Sequence, residues 1–595
     1  MSPIHLFQFF LFSLCVHIFT VYIYIVYYTD FFYSTQDIES EYDFIIVGSG
    51  TAGSLIAHRL STQTNHTFIV IEAGGNSNPL FEIPIFGPLL HGSVYDWQYD
   101  TVRQDKACLA MVGNKCRHIQ GRMLGGSSKI NNMIHVTGNI SYYVDWFHGK
   151  YSEQYIKEQF NFIENNILQL SKLQFSSELS ANILKAAEQL GYGRIKSDFK
   201  VGFSEPILSQ VNGKRWAISD ILVNKYVRVN TLVEKLLIGN NKCVGVQLAN
   251  KRVYAKKGVI LSAGTYNSPK LLQLSGIGPR SLLKSLGIPL VKELPVGKNL
   301  QDHVGTGLDL VLFNELLSLN SFSIYNPWHI FQYFIFGKGP YTTPGCEAIG
   351  FISTKNSSQP DVEFMVLPVG ISSDKGSHLR KSFVLKEDVW NNYFAKVFDK
   401  HAITILATLL HPKSRGEVSI QSKDPHVPPL IDPKYFANAE DVKTLIDAVK
   451  FIKKIVSTEA MVISGAFLND IPFPGCQQHD FFSNSYLECY VRHLTLSSFH
   501  PVGTCSMGLT DAKNAVVDTS FKVIGIDNLY VVDGSVLPTM PSGNINAAIA
   551  MMANIFFDSN IKRGTDLRNK CLVSCQSNFM DEFVFKVCPS HIKSL

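Results

Sequence analysis

Three glycines spaced as Gly-x-Gly-x-x-Gly are the first residues whose pattern indicates chemistry. They are Gly48, Gly50 and Gly53, and an acidic residue, Glu72, follows nineteen positions after the last of them. In such a pattern the first glycine permits a tight turn, the second lets the backbone approach a pyrophosphate, and the third lets a helix pack closely on a strand. The carboxylate can accept hydrogen bonds from a ribose diol. We therefore expect a dinucleotide to contact Gly48, Ser49, Gly50, Thr51, Ala52, Gly53 and Glu72.

These glycines need a strand before them and a helix after them, and the sequence supplies both. Residues 41–47 are rich in aromatic and β-branched side chains, and residues 54–60 have a helical composition. A second apolar run, at residues 67–71, leads into Glu72. The N-terminus of the helix would then face the phosphates. This context favours a nucleotide site over a purely structural glycine turn, but it does not separate FAD from NAD.

Two later segments also have suitable residue types. Residues 121–131 contain paired glycines and serines, whose exposed N–H groups and hydroxyls suit an anion and a planar ring. A surface loop without a ligand is the alternative interpretation. Residues 260–279 are typical of a buried strand, a glycine turn and a helix that begins near Ser268 and Pro269, where a helix accepts proline.

A histidine and a carboxamide follow towards the C-terminus. His500 precedes a proline, and Asn544 lies in the polar run 541–546. Between them, Asp533 and Gly534 end an apolar run. A histidine in this position is by itself more often a loop residue with a satisfied ring, so these residues do not define a catalytic site without further context.

That context is a close resemblance to the glucose-methanol-choline (GMC) oxidoreductases, especially their arthropod glucose-dehydrogenase-like branch. It runs from about residue 42 to about residue 557 and depends mainly on segments 121–131, 260–279 and 499–546. The resemblance implies an α/β (mixed α+β) fold, with a Rossmann-like FAD-binding domain and a substrate-binding domain built on an antiparallel sheet. It also implies an alcohol as substrate, FAD as cofactor, and a quinone or oxygen as electron acceptor.

The resemblance assigns roles to single residues. His500 matches the active-site histidine of the family, and Asn544 matches a second active-site position that is His or Asn among members. Residues 230–234 resemble a strand from which the backbone of Val233 meets the adenine. The other cofactor contacts that it implies are Arg122, Gly125, Gly126, Ser127, Asn131, Ala263, Gly264, Asp533, Gly534 and Asn546. No metal site is expected.

The roles of the two active-site residues follow from the chemistry of alcohol oxidation. An alcohol releases hydride readily only when a base takes its hydroxyl proton, and His500 is the candidate base, with an ordinary pKa of about 6.5. Asn544 does not titrate, so we expect it to orient the substrate oxygen and to stabilise the alkoxide. Three departures from the family pattern, at Lys129, His135 and Phe499, bear on substrate preference more than on cofactor binding.

The resemblance also predicts the domain organisation. A discontinuous FAD-binding domain is expected from residues 42–136, 232–304 and 495–557. Residues 137–231 and 305–494 would form the substrate-binding domain with cofactor-covering segments. An apolar N-terminal helix (residues 1–33) and a cysteine-containing tail (residues 558–595) would lie outside both domains.

Composition excludes several other classes of protein. With 595 residues the chain is too long for one ordinary core, which predicts two or more structural domains. Its 46% hydrophobic and 17% charged residues are typical of a globular protein. A net charge of +5 without a dense basic block gives no reason to expect nucleic-acid binding.

The N-terminal segment differs from the rest of the chain. Residues 2–29 contain no Asp, Glu, Lys or Arg, and residues 4–28 are mostly apolar, a length that can cross a bilayer. The basic start and the small residues that mark a cleavable signal peptide are not clear, so a retained helix is slightly favoured over a cleaved leader. Both alternatives predict the secretory pathway, with a membrane-anchored extracytoplasmic enzyme or a secreted one.

Cysteine usage fits an oxidising compartment. Ten of the eleven cysteines lie outside the apolar segment, and Cys108 with Cys116, and Cys476 with Cys489, are close enough to close small loops. Buried free thiols are the alternative. In the tail, residues 558–595, the cysteines lack a C-x-x-C pair, which favours disulfides over a metal site.

Three other functions remain open at this point. A lyase on the same scaffold would hold FAD without net oxidation. A non-catalytic secreted binding protein would keep only the fold, although both His500 and Asn544 are present. An NAD enzyme is the least favoured, because segments 121–131 and 260–279 match FAD-dependent relatives.

Overall fold

The computed structural model describes residues 38–562 except 78, 196–200 and 378, together with residues 13, 16, 17 and 20. The predicted apolar N-terminal helix and the tail cysteines lie outside the described residues, apart from those four isolated positions. Among the residues that are described, no helix is both long and apolar enough to cross a bilayer.

The helices and strands are numbered in chain order over this part of the chain. The α-helices are α1 Thr51–Gln63, α2 Ile140–Trp146, α3 Glu153–Asn166, α4 Glu178–Gln189, α5 Gly264–Leu274, α6 Arg280–Ser285, α7 Pro327–Phe336, α8 Leu379–Phe383, α9 Glu387–Asn392, α10 Ala439–Val456, α11 Glu459–Ile463, α12 Asn484–His493 and α13 Asn546–Phe556. The strands are β1 Glu41–Val47, β2 Phe68–Ile71, β3 Tyr99–Asp100, β4 Arg117–His118, β5 Ile134–His135, β6 Leu170–Lys172, β7 Gly202–Ser204, β8 Ile207–Val211, β9 Lys214–Arg215, β10 Val227–Arg228, β11 Lys235–Gly239, β12 Lys242–Gln247, β13 Arg252–Leu261, β14 Lys298–Leu300, β15 Val304–Thr306, β16 Val311–Phe313, β17 Ala348–Ile352, β18 Val362–Leu367, β19 His401–Leu409, β20 Gly416–Ser419, β21 Leu430–Asp432, β22 Ala466–Leu468, β23 Leu496–Ser497 and β24 Leu529–Val531.

One sheet carries the nucleotide-type turn. Its strands follow the order β10-β2-β1-β13-β12-β11, and β24 also pairs with β13. Strands β10, β2, β1, β13 and β24 run parallel, whereas β11 and β12 are antiparallel additions. The central strands are apolar without alternation at residues 44–47, 68–71 and 259–261, all buried, because helices cover both faces of such a sheet.

A second sheet is wholly antiparallel. Its order is β22-β16-β19-β18-β17-β7. In addition, β15 pairs with β19, and β23 pairs with β15. Along β18, Val362, Phe364 and Val366 join one core cluster, while Met365 faces the other side of the sheet. This alternation is the period of two that a strand imposes.

Some elements belong to a different sheet from the one that the predicted domain boundaries imply. Strand β10 belongs to the parallel sheet, and residues of α2 and α3 pack in its core cluster, although they lie within residues 137–231. Strand β23 belongs to the antiparallel sheet, although it lies within residues 495–557. We propose that the domains follow the two sheets, with the exchange of β10, α2, α3 and β23 relative to the sequence-based boundaries.

The structure corrects the predicted start of α5. The helix begins at Gly264 and not near Ser268, so Pro269 lies inside it. Proline has no N–H to donate to the carbonyl four residues earlier. That carbonyl, on Thr265, accepts a hydrogen bond from the Thr504 hydroxyl at 2.6 Å instead. A tertiary contact thus satisfies the group that the proline leaves without its helical partner.

A second correction concerns residues 230–234, which resemble a strand in the sequence. They form a connection between β10 and β11 without strand pairing. Asn230 has a left-handed φ of 51°. Its N–H donates to Gly74 O, and the N–H of Thr231 donates to Glu72 O. These backbone bonds hold the connection against the loop after β2.

Both predicted disulfides are confirmed. Cys108 pairs with Cys116, and Cys476 pairs with Cys489. The other described cysteines within residues 38–562 are buried and unpaired. They are Cys243, Cys346 and Cys505.

Candidate active site

A cavity opens where the carboxyl ends of the parallel strands meet. It is lined by Val47 at the end of β1, Ile71 at the end of β2, Ser262 after β13 and Asp533 after β24, and its empty volume is about 1840 Å³ including the part open to solvent. Ligands of open α/β sheets bind at this edge. The predicted site residues that line it are Gly48, Gly50, Thr51, Ala52, Glu72, Gly126, Ser127, Asn131, Val233, Ala263, Gly264, His500, Asp533, Gly534, Asn544 and Asn546.

The turn after β1 has the geometry that its glycines predict. Gly48 has a φ of +98°, which only glycine adopts without strain. A Cβ on Gly53 would lie 2.0 Å from the carbonyl oxygen of Gly48. A Cβ on Gly50 would meet no protein atom within 4 Å, because this side of the residue faces the cavity. Helix α1 begins at Thr51, three residues earlier than predicted.

The N-termini of helices α1 and α13 face the cavity. The N-cap residues are Gly50 for α1 and Ile545 for α13, and no side chain caps either helix. The first N–H groups of a helix lack intrahelical partners and carry partial positive charge. Thr51 Oγ1 donates to Asn546 Oδ1 at 2.5 Å and so joins the two ends. This arrangement suits an anion such as a pyrophosphate.

Glu72 lines the cavity and also stabilises the turn. Its Oε2 accepts hydrogen bonds from the N–H and the hydroxyl of Ser49, at 3.0 and 2.7 Å, and its Oε1 accepts one from the N–H of Gly74 at 2.9 Å. Burial raises the pKa of the Glu72 carboxyl. The predicted contact of Glu72 with a ribose stays a prediction.

Asp533 connects the segment after β24 with the start of α5. Its Oδ2 accepts hydrogen bonds from the N–H of Gly264 at 2.8 Å and from the hydroxyl of Ser268 at 2.5 Å. Its Oδ1 accepts one from the N–H of Ser535 at 2.8 Å. Burial raises the pKa of this carboxyl. The contacts fix the start of α5 against the end of β24.

His500 and Asn544 meet at the cavity wall. Asn544 Nδ2 donates to His500 Nε2 at 3.2 Å. On the far side of the ring, His500 Nδ1 lies 3.0 Å from His303 Nδ1, and the backbone N–H of His500 donates to Asp302 Oδ1 at 3.0 Å. Burial lowers the pKa of His500 to about 4, so the ring is neutral near neutral pH.

Four predicted contacts lie outside the cavity lining. Ser49 is fully buried under the turn, and Gly53 lies within α1 against Gly48. Gly125 donates its N–H to Ser49 O at 3.2 Å. Arg122 is exposed, and its guanidinium lies 4.9 Å from the centroid of the Trp97 ring. Sequence spacing identifies the loop but not the side of it that a residue faces.

Comparison with known proteins identifies the family. Sequence models described as GMC oxidoreductase match residues 42–305 and 412–553. The glucose dehydrogenase [FAD, quinone] of Drosophila pseudoobscura pseudoobscura is 31% identical over 551 residues, covering 86% of this chain and 85% of that protein. The chain belongs to the GMC oxidoreductase family. It is accordingly an FAD-dependent oxidoreductase that acts on CH–OH groups, as the sequence analysis expects.

Further GMC-type relatives support the same fold. The ecdysone oxidase of Spodoptera littoralis is 29% identical over 87% of this chain and 91% of that protein. Among solved structures, formate oxidase superposes with a TM-score of 0.75 at 24% identity, covering 89% of this chain and 100% of that one. Pyridoxine 4-oxidase from Mesorbium loti gives 0.71 at 24% identity, covering 86% and 98%. These two structures bear on the fold alone.

Buried polar atoms in this GMC oxidoreductase fit a flavin nucleotide as the ligand. Gln120 Oε1 and Asn544 Oδ1 are buried without a hydrogen-bond partner, and both residues line the cavity. Buried polar atoms are normally paired, so each calls for a donor from a ligand. The uncapped N-termini of α1 and α13 and the open space at Gly50 also suit the pyrophosphate of such a ligand. The residues present therefore fit FAD.

Several lining residues of the GMC site were missed in the sequence. Gln120 directly precedes segment 121–131, and its Nε2 donates to Ala263 O at 3.2 Å. Met365 reaches the cavity from β18. The adjacency of Gln120 to segment 121–131 was a usable signal. Met365 had none, because only the packing of the second sheet brings it to the cavity.

Two departures from the family pattern are paired away from the cavity lining. Lys129 is buried and forms a salt bridge with Asp220. His135 Nε2 lies 2.8 Å from Glu164 Oε1. Phe499 alone of the three departures lines the cavity.

Proposed function

We propose that this GMC oxidoreductase oxidises an alcohol with His500 as the general base and Asn544 as the residue that orients the substrate oxygen. The observation that carries the proposal is the 3.2 Å contact between His500 Nε2 and Asn544 Nδ2 at the wall of the cavity that the Gly48–Gly53 turn lines. Bound FAD supplies the hydride acceptor.

The two side chains have complementary tasks. A substrate hydroxyl that displaces Asn544 from His500 Nε2 can donate its hydrogen to that nitrogen. Asn544 Nδ2 is then free to donate to the substrate oxygen as negative charge develops on it. The neutral state of His500, which follows from its lowered pKa, makes the nitrogen a proton acceptor at neutral pH.

The lining favours a substrate with apolar surface next to its hydroxyl. Ile119, Met365 and Phe499 contribute apolar side chains to the cavity. Two relatives are a glucose dehydrogenase [FAD, quinone] and an ecdysone oxidase. From the lining we propose a sterol or a fatty alcohol as the donor, and from the first relative a sugar, with a quinone or oxygen as the acceptor.

The two disulfides support an oxidising location. Small-loop disulfides such as Cys108–Cys116 and Cys476–Cys489 persist in the secretory pathway and outside the cell. We propose that the enzyme is secreted, or is anchored to a membrane if the N-terminal segment is retained.

Anaerobic reduction of the bound flavin tests the function. The purified, yellow protein is mixed with candidate sugars, sterols and fatty alcohols without oxygen, and bleaching of the flavin absorbance is followed. Bleaching by an alcohol supports the proposal. A lyase on this scaffold would convert its substrate without bleaching, and a non-catalytic binding protein would do neither. Re-oxidation with oxygen and with a quinone then separates an oxidase from a dehydrogenase.

A further inference from the structure

Two successive residues, Asp302 and His303, lie within hydrogen-bond distance of His500. The Asp302 carboxylate accepts the backbone N–H of His500 at 3.0 Å, and the Nδ1 of His303 lies 3.0 Å from the Nδ1 of the His500 ring. His303 is fully buried and Asp302 nearly so. They follow β14, in a segment that the sequence analysis did not connect with catalysis.

The contact of His303 with Leu410 O indicates where each ring carries its hydrogen. His303 Nε2 lies 3.0 Å from Leu410 O. A carbonyl only accepts, so His303 Nε2 carries a hydrogen and, in the neutral ring, its Nδ1 carries a lone pair. His500 Nδ1 must then donate to it, which leaves the lone pair of His500 on Nε2. Asn544 Nδ2, a donor, lies 3.2 Å from that atom, as this assignment requires.

We propose that His303 is a positioning residue, which holds the base His500 in the tautomer protonated on Nδ1, so that the Nε2 lone pair faces the cavity. The inference rests on the proposed function of His500. Without an acceptor at Nδ1, the hydrogen of His500 could move to Nε2, and the ring would then present no lone pair to a substrate.

The same contact helps His500 after it has taken a proton. An imidazolium donates more strongly than a neutral ring, so the hydrogen bond from Nδ1 to His303 strengthens when Nε2 is protonated. Two other titratable groups lie near this pair, namely His411 and Asp302. Asp302 accepts hydrogen bonds at Oδ2 from the hydroxyls of Ser497 and Tyr435. The negative charge of its carboxylate would favour the imidazolium form of His500.

A matched pair of substitutions separates the contact of His303 with His500 from its contact with Leu410. In H303N the amide oxygen can take the place of the ring Nδ1 and accept from His500, but the contact with Leu410 is lost. In H303Q the amide N–H can take the place of Nε2 and donate to Leu410 O, but the acceptor for His500 is lost. Each variant is loaded with FAD, and its absorbance spectrum checks that the cofactor is bound.

Rapid-mixing flavin reduction by an alcohol that reduces the wild type is then measured. We expect H303Q to slow reduction on the order of 100-fold, within the range of about 10²–10⁴-fold that a positioned base supplies, and H303N to slow it no more than about tenfold. A loss in H303N equal to or greater than that in H303Q would overturn the inference, because anchoring to Leu410 would then be the role of His303.

Imidazole ¹⁵N shifts give a readout that does not depend on turnover. Protein labelled with ¹⁵N-histidine is compared with H500A to assign His500. A protonated Nδ1 and an unprotonated Nε2 in the wild type support the inference, and the reverse pattern contradicts it even if both His303 variants fail to fold. If no alcohol reduces the wild-type flavin, the proposed function fails, whereas this spectrum still decides the tautomer.

Discussion

Asn544 Nδ2 lies 3.2 Å from His500 Nε2, although forty-four positions separate the two residues in the chain. The first reaches the cavity just before α13 and the second just after β23, so the contact depends on both sheets.

Removing the imidazole should abolish most of the chemistry without removing the cofactor. H500A is expected to keep bound FAD and to lower the rate of flavin reduction by an alcohol about 10³-fold, because a general base typically supplies about 10²–10⁴-fold. N544A should lower it less, about 10²-fold, the usual effect of one lost donor to a developing oxyanion. Single-turnover reduction measures both. A larger loss in N544A would reverse the two roles.

Alanine substitutions at two glycines of the turn should affect different properties, namely stability at Gly53 and FAD binding at Gly50. A Cβ at Gly53 would lie 2.0 Å from Gly48 O, so G53A should lower the free energy of unfolding by about 1–3 kcal/mol, the usual cost of overpacking. G50A adds its Cβ in open space and should leave the stability of the flavin-free protein unchanged while weakening FAD binding. Chemical denaturation and FAD titration compare them. Equal stability of the two flavin-free variants would contradict this difference.

The pH dependence of reduction should reflect the lowered pKa of His500. The ring accepts a proton only when it is neutral, and burial lowers its pKa to about 4. The rate of flavin reduction should therefore be present above that value and lost as the pH falls through it. Stopped-flow reduction between pH 4 and pH 8 measures this. A steep loss of rate on going below pH 7 would show that the ring titrates near its ordinary pKa of about 6.5.

The proline inside α5 should make the fold depend on Thr504. T504V removes the hydroxyl that donates to the buried Thr265 carbonyl at 2.6 Å. An unsatisfied buried acceptor costs about 1–3 kcal/mol, so the free energy of unfolding should fall by that amount. T504S keeps the hydroxyl and serves as the control. If both variants lose the same stability, the missing methyl packing and not the hydrogen bond is responsible.

The sequence by itself determined the turn after β1 and the family. Glycine spacing specifies the turn after β1, because a positive φ at Gly48 and the close approach at Gly53 are properties of neighbouring residues. Matched segments likewise indicated His500, Asn544 and the FAD-binding edge of the sheet. These features are short-range, so a linear pattern is enough to predict them.

Only the tertiary structure decided which atoms meet. Pro269 could enter α5 because Thr504, far away in the chain, satisfies the Thr265 carbonyl. Arg122, within a matched segment, lies outside the cavity lining against Trp97. His303 lies behind His500 because β15 pairs with β23, and this pairing joins segments almost two hundred residues apart. Side-chain direction and long-range pairing follow from how the sheets pack, and a pattern of neighbouring residues does not encode either.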